Sequence, residues 1–291
     1  MKYRLLDVLV VVPLTDEGKI VLKQAMYLQK VLACRVFVLN VIPPIPLFRR
    51  YFNSRNVKNL KDEALQKLTH FAKDFFEGKI PHSIILKVLM GNMVSTLIKQ
   101  AQKEDFLFII LKRSIHKKGV SSLLEQKEID KIIGRSHCPV MTVNEDTTHR
   151  NIKNILIPYD ISESTKKKLL WASMFAKKTN AEIQIVSALN INIDERKSLA
   201  LKNAEKIKLM LLERGIKCAV EILKVHDKIK HEAVLSYITA KKPDFVIIRK
   251  HQVASSFKTT VGDFSKEIIH RSPVPVFTVS QTHKNIAHIL P

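Results

Sequence analysis

The residues with the most to offer chemically lie in "DFVIIRKHQVASSFKTTVGDFSKEII", which begins at Asp244. An apolar run gives way to a polar loop and then to a helical pattern, the layout of many phosphate-binding turns. Such turns ordinarily use glycine, because a residue without a Cβ lets backbone N–H groups close on phosphate oxygens. Here Arg249, Lys250, His251 and Gln252 stand where glycines would be useful, and Lys258, Thr259 and Thr260 follow. Those side chains could hold an anion through charge and hydrogen bonds instead of main-chain amides. Gly262 and Asp263 open the helix that follows. An acidic Asp263 there is expected to act as an N-cap and take up the amides an anion would use. A lysine-rich loop that only solvates its charges is the competing reading.

Other chemistry is thinly represented. His226 and His231, in "HDKIKHE", do not share a helix face, so they read as surface residues and not as metal ligands. The chain has no Walker loop, G-x-S-x-G elbow or paired-carboxylate motif. Ser121 and Ser255 lie in polar loops with no base beside them. Cys138 precedes a proline at the start of an apolar run, where inert packing is the expected role. Without a visible catalytic or metal-ligating set, the expectation is a protein that is not an enzyme.

The elements that position these residues come in two copies. "LLDVLVVVPLTDEGKIVLKQAMYLQKVLACRVFVLNVIPP" is echoed by "KNILIPYDISESTKKKLLWASMFAKKTNAEIQIVSALN". Each has an apolar run ending at a proline (Pro13, Pro158), a polar turn and a helical stretch. Each then passes a small residue (Ala33, Ala181) into a second apolar run. "DFLFIILKR" from Asp105 matches "DFVIIRKHQ", and each copy closes on a short strand, "CPVMTV" and "VPVFTV". The polar segment "NEDTTHRNIKN" between them suits a linker. Runs such as "DVLVVV" and "RVFVLNV" are continuously apolar and β-branched, as strands covered on both faces are. In "SESTKKKLLWASMFAKK", Leu169, Ala172, Phe175 and Ala176 share one helical face, Trp171 packs beside them, and Ser162 or Ser164 caps the start. Strand–helix alternation of this kind predicts an α/β, doubly wound fold in each copy. The first copy carries an extra stretch, "PPIPLFRRYFNSRNVKN", expected to run over the surface.

Composition sets the limits. The chain has 291 residues, 46% of them hydrophobic and 26% charged, enough for two globular domains with cores of their own. No run approaches a membrane-spanning length. Asp7 interrupts the first apolar run, which favours a strand over a signal peptide. Three separated cysteines (Cys34, Cys138, Cys218) exclude a disulfide framework and suit a reducing, cytoplasmic setting. The net charge of +22 favours polyanions, nucleic acid or anionic lipid. It is nevertheless dispersed, through Lys166 to Lys168, Lys202, Lys206 and Lys208, Lys241 and Lys242, and other clusters read as solvated helix faces and ends. A nucleic-acid partner is not expected, because aromatic interleaving and any known recognition module are missing.

In "NILIPYDISES" with Asp160, "VGDFSKEIIHRSPVPVFTV" and "VLMGNMVSTLIKQAQKEDFLFII" with Gly91, the chain resembles the universal stress protein family in its tandem two-domain form. The resemblance implies Rossmann-like, adenine nucleotide α-hydrolase-like domains at 1–146 and 151–281. Each would hold a five-stranded parallel sheet in the order 3-2-1-4-5. It also implies pairing of the halves through their last strands as a pseudo-dimer, with a homodimer possible beyond that. Family members that bind ATP resemble one another in a loop after the fourth strand: glycine, two residues, glycine, nine residues, then glycine with serine or threonine. Laid on the second half, this spacing puts Arg249 and Gln252 at the early glycines, Gly262 at the third and Asp263 at the serine. In the first half Leu111, Ser114, Gln126 and Lys127 fall there, and Thr15 stands where the second half has Asp160. Only 7 glycines exist in the chain, too few for two such loops and the other turns. The expectation is a stress-response binding or scaffold protein without the usual ATP-binding glycine loop and with no cofactor, ATP being possible only in the second half. The alternatives are an ATP sensor with one altered site, formed by Asp160, Arg249, Lys250 and the Gly262–Asp263 helix start, and a polyanion binder.

Overall fold

The computed structural model describes residues 6–44, 54–113, 124–144, 151–159, 166–190, 192, 194, 198–225, 230–250 and 261–280. The chain divides into two compact units, Met1–Val140 and Met141–Pro291.

In the first half the strands are β1 (Asp7–Val11), β2 (Arg35–Ile42), β3 (Ile84–Met90), β4 (Phe108–Lys112) and β5 (Val140–Val143). They alternate with α1 (Asp16–Leu32), α2 (Ser54–Phe75), α3 (Met93–Lys103) and α4 (Gln126–Arg135). The strand order is β3-β2-β1-β4-β5, with β1 parallel to both β2 and β4. The second half repeats the scheme with β6 (Asn154–Pro158), β7 (Glu182–Asn190), β8 (Cys218–Val225), β9 (Phe245–Arg249) and β10 (Val276–Val279). Its helices are α5 (Lys166–Thr179), α6 (Leu199–Glu213), α7 (Lys230–Lys241) and α8 (Asp263–Arg271). Here β6 is parallel to β7 and β9, and β9 to β10, which gives the order β8-β7-β6-β9-β10. Both halves therefore have the 3-2-1-4-5 arrangement.

The strands are continuous apolar runs because both faces are covered. Leu9, Val10, Val36, Val38, Phe108, Ile109 and Ile110 are fully buried in one half, and Ile155, Leu156, Ile183, Phe245, Val246 and Ile247 in the other. The expected face of α5 is inside: Leu169, Ala172, Phe175 and Ala176 are all buried. Trp171 is core as well, with its ring 4.8 Å from Phe277 and 6.0 Å from Phe175. Ser162 and Ser164 lie outside the described residues, as do Ser121 and Ser255.

The hydrogen-bond ladder fixes how the copies correspond. Leu107 N donates to Asp7 O as Asp244 N does to Asn154 O, and Ile109 N donates to Pro139 O as Val246 N does to Pro275 O. Asp244 therefore corresponds to Leu107 and not to Asp105, so matching the Asp-Phe pairs by letter slips the register by two. Arg35 N to Leu6 O matches Glu182 N to Lys153 O, and Val12 N to Leu39 O matches Tyr159 N to Val186 O. The left-handed residue ending the first helix is Ala33 in one half and Asn180 in the other, so Ala33 and Ala181 are not equivalent. The extra stretch is also shorter than expected, since Ser54–Asn59 form the first turns of α2.

Candidate functional site

In an open parallel sheet the ligand crevice opens beyond the carboxyl ends of the strands, where the strand order reverses. In the first half that point lies between β1 and β4. The β1–α1 turn is tight: a Cβ on Gly18 would lie 1.9 Å from Pro13 O, which holds the start of α1 against the strand end. Gly18 N donates to Thr15 O at 2.8 Å, and Asn40 Nδ2 donates to Val12 O at 3.3 Å.

β4 ends in Lys112, and Arg113 follows; both are buried. The corrected register makes Lys112, not Leu111, the counterpart of Arg249, and Arg113 the counterpart of Lys250. Each fourth strand therefore ends in two cations where the family loop begins with glycine. From β4, Lys112 Nζ lies 3.3 Å from Glu17 Oε1 on the first turn of α1, so an ion pair spans the crevice. Arg113 is pushed down to about 10 by burial, because removal from water penalises its charged form.

The helix starts also differ. α4 begins after Glu125, whose N–H donates to the Glu128 carboxylate at 3.0 Å in a capping box. That box occupies amides a phosphate would need. α8 has Gly262 as its N-cap, in an extended conformation and with no side-chain capping bond. Asp263 is the first helical residue and not the expected N-cap. Its carboxylate is 100% exposed and faces Lys266 Nζ at 3.6 Å, because the helix begins one residue earlier than an Asp cap requires.

In the second half Arg249 is half-buried and Lys250 buried. Ser265 Oγ donates to Arg249 O at 2.9 Å, tying the end of β9 to the first turn of α8. Arg249, Lys250, Gly262 and Asp263 thus gather at one end of the sheet. Asp160, His251, Gln252 and Lys258 to Thr260 lie outside the described residues. The ladder makes Pro13, not Thr15, the residue corresponding to the one after Tyr159, so the first half has proline where the second has Asp160.

Sequence reading also missed a cation of the second half. Lys168 is buried and not solvated, with Nζ donating to Pro158 O at the end of β6 at 2.9 Å. Its spacing of four from Ala172 was a usable signal, hidden by Lys166 and Lys167 before it.

A groove of about 720 Å³ opens beside the first crevice, between the start of α1 and the second half of α2. Thr15, Lys19, His70, Phe71 and Asp74 are among its lining residues. Lys19 Nζ pairs with Asp74 at 2.8 Å and with Asp16 at 3.3 Å. Hydrogen bonding to those carboxylates raises the Lys19 pKa, and Lys19 in turn lowers that of Asp74. The charged rim therefore satisfies much of its own charge.

All three cysteines are free thiols. His231 has a carboxylate neighbour, Glu232, at 3.7 Å. Among the described residues no group of three or more His, Cys, Asp or Glu could hold a metal ion, and no helix is long and apolar enough to cross a membrane.

These features define a tandem of two α/β domains, each with a five-stranded parallel sheet whose fourth strand runs into two cationic residues. The model of the "Universal stress protein family" matches residues 6–144 and 151–280, and the chain belongs to that family. A universal stress protein from Archaeoglobus fulgidus has a similar structure, with a TM-score of 0.73 at 20% identity, covering 94% of this chain and 98% of that one. A putative universal stress protein from Pseudomonas aeruginosa follows at a TM-score of 0.62 and 15% identity, over 98% and 96%. The cytoplasmic domain of a prokaryotic cation chloride cotransporter gives 0.54 and 13% identity, over 99% and 100%. At these identities the likeness is one of fold. Comparison with curated proteins returned no match.

Proposed function

We propose that this chain is a universal stress protein that works by binding or scaffolding and not by catalysis, without the family's glycine-loop grip on ATP. The observation that carries the reading is the Glu17–Lys112 pair across the first crevice. It puts a self-satisfied cation where main-chain amides would meet phosphate, and the Glu125–Glu128 box engages the opposite wall. The reading includes a cytoplasmic, reducing setting, which suits three free buried thiols, and family-type pairing of the halves through β5 and β10.

A second reading has one specific support. The start of α8 keeps Gly262 without a side-chain cap, beside Arg249 and Lys250, so the second half retains parts of an anion site. This is the altered ATP sensor, with Asp160 on the nucleoside side. The two readings separate in one titration of the full chain with millimolar Mg-ATP, followed by thermal unfolding. No change in Tm is expected on the leading reading. A rise that Asp160→Ala abolishes replaces it with the sensor.

A further inference from the structure

Of the large hydrophobic residues exposed among those described, three stand on one helix. On α6, Leu199 is 64% exposed, Leu209 59% and Leu212 46%. Leu199, Lys202, Lys206 and Leu209 follow one another at i, i+3, i+7 and i+10, so they form one outward stripe, with Leu212 at its edge. The opposite side of α6 is anchored by Ala200, Ala204 and Leu211, all buried, and the helix lies over β7 and β8. The stripe is therefore the outer face of a docked helix. From Leu199 to Lys217 the chain carries Lys202, Lys206, Lys208, Arg214 and Lys217 against two carboxylates, Glu205 and Glu213. Lys208 is partly engaged by Glu205 at 3.3 Å; Lys202 and Lys206 are exposed.

We propose that this face of α6 docks on the surface of a bilayer rich in anionic phospholipid. This goes beyond the reading of the crevices and does not depend on it. Leucines interleaved with lysines match an interface that is anionic at the headgroups and apolar just beneath. The leucyl side chains reach the acyl boundary while the lysine stems lie along it and keep their ammonium groups at the phosphates. A second copy of the chain is the poorer occupant, because it would bring like-charged lysine stripes together. Nucleic acid is poorer still, because leucine offers no ring on which a base can stack. The corresponding helix of the first half, α2, supplies an internal contrast: Leu60 and Leu65 are exposed too, but Asp62 and Glu63 stand between them.

The test is co-sedimentation of the full chain with phosphatidylcholine vesicles, with and without phosphatidylglycerol. Binding is expected only with phosphatidylglycerol, weakening as salt rises. The doubly substituted Leu209→Ser, Leu212→Ser chain should bind about tenfold more weakly, and Lys202→Glu with Lys206→Glu should abolish binding. Leu60→Ser should change nothing. These leucines are solvent-facing, so an unchanged Tm will show that each variant is folded. Three results would each overturn the proposal. One is no binding to either vesicle. Another is equal binding of wild type and the leucine variant, which is polycation adhesion alone. The third is a dimer in gel filtration that the leucine variant dissolves, which makes the face a self-association surface.

Discussion

The two crevices differ in a way their common fold does not require. In the first half, Lys112 is countered by Glu17 and the start of α4 by Glu128. In the second, the start of α8 is a bare Gly262. The same backbone is closed in one copy by its own carboxylates, while the other copy retains cations at the mouth.

The halves differ in their cores as well, and this gives the largest expected effect. Trp171, Phe175, Phe245 and Phe277 pack as one aromatic cluster in the second half. By register the first half has Gln24 and Leu28 where the second has Trp171 and Phe175. Phe277→Ala should cost about 3–5 kcal/mol and Leu28→Ala about 2–3 kcal/mol by urea unfolding. Trp171 is the only tryptophan, so its fluorescence follows the second half while circular dichroism follows both. Phe277→Ala should therefore move the fluorescence transition ahead of the dichroism one; coincident transitions would show that the halves unfold as a unit.

The closing pair of the first crevice comes next. Glu17→Gln should cost about 1–3 kcal/mol, because it takes the carboxylate from the buried Lys112 ammonium while Glu17 itself is partly exposed. Adding Lys112→Met should recover most of that loss. If the two effects simply add, the pair does not close the crevice and the contrast between the halves weakens.

The smallest effect should be the same in both halves. Burial pushes the Cys34 thiol up to about 11 and the Cys218 thiol up to about 12, whereas an unfolded thiol titrates near ~8.5. The folded state holds its protons longer, so this contribution is intact below ~8.5 and is lost as pH rises toward those values. The slope is at most ~1.4 kcal/mol per pH unit for each thiol. Native alkylation followed by mass spectrometry should find both thiols inert at mildly basic pH; selective labelling of one would expose a loose element in its half.

Much of the architecture was legible in the residues. Apolar β-branched runs alternating with amphipathic helices led to two parallel sheets, the family resemblance implied the strand order observed, and the face of α5 was read correctly. The candidate site was legible only in part. Arg249, Lys250 and Gly262 were recognised as neighbours of a crevice, but Arg113 and Lys168 were not, because a charged residue in a lysine-rich chain reads as solvated until burial says otherwise, and Glu17 was not, because its partner Lys112 comes from a distant strand.

By itself, then, the sequence determined the repeat, the covered sheets and the shortage of glycine. Tertiary structure decided which residues of the two copies correspond. A strand buried on both faces has no alternation to pin its register, so the Asp-Phe letters at Asp105 and Asp244 aligned falsely until hydrogen bonds to Asp7 and Asn154 set them two residues apart. It also decided which cations went inside, since a lysine is buried only where a carbonyl or carboxylate from a distant element meets it, as Pro158 meets Lys168 and Glu17 meets Lys112.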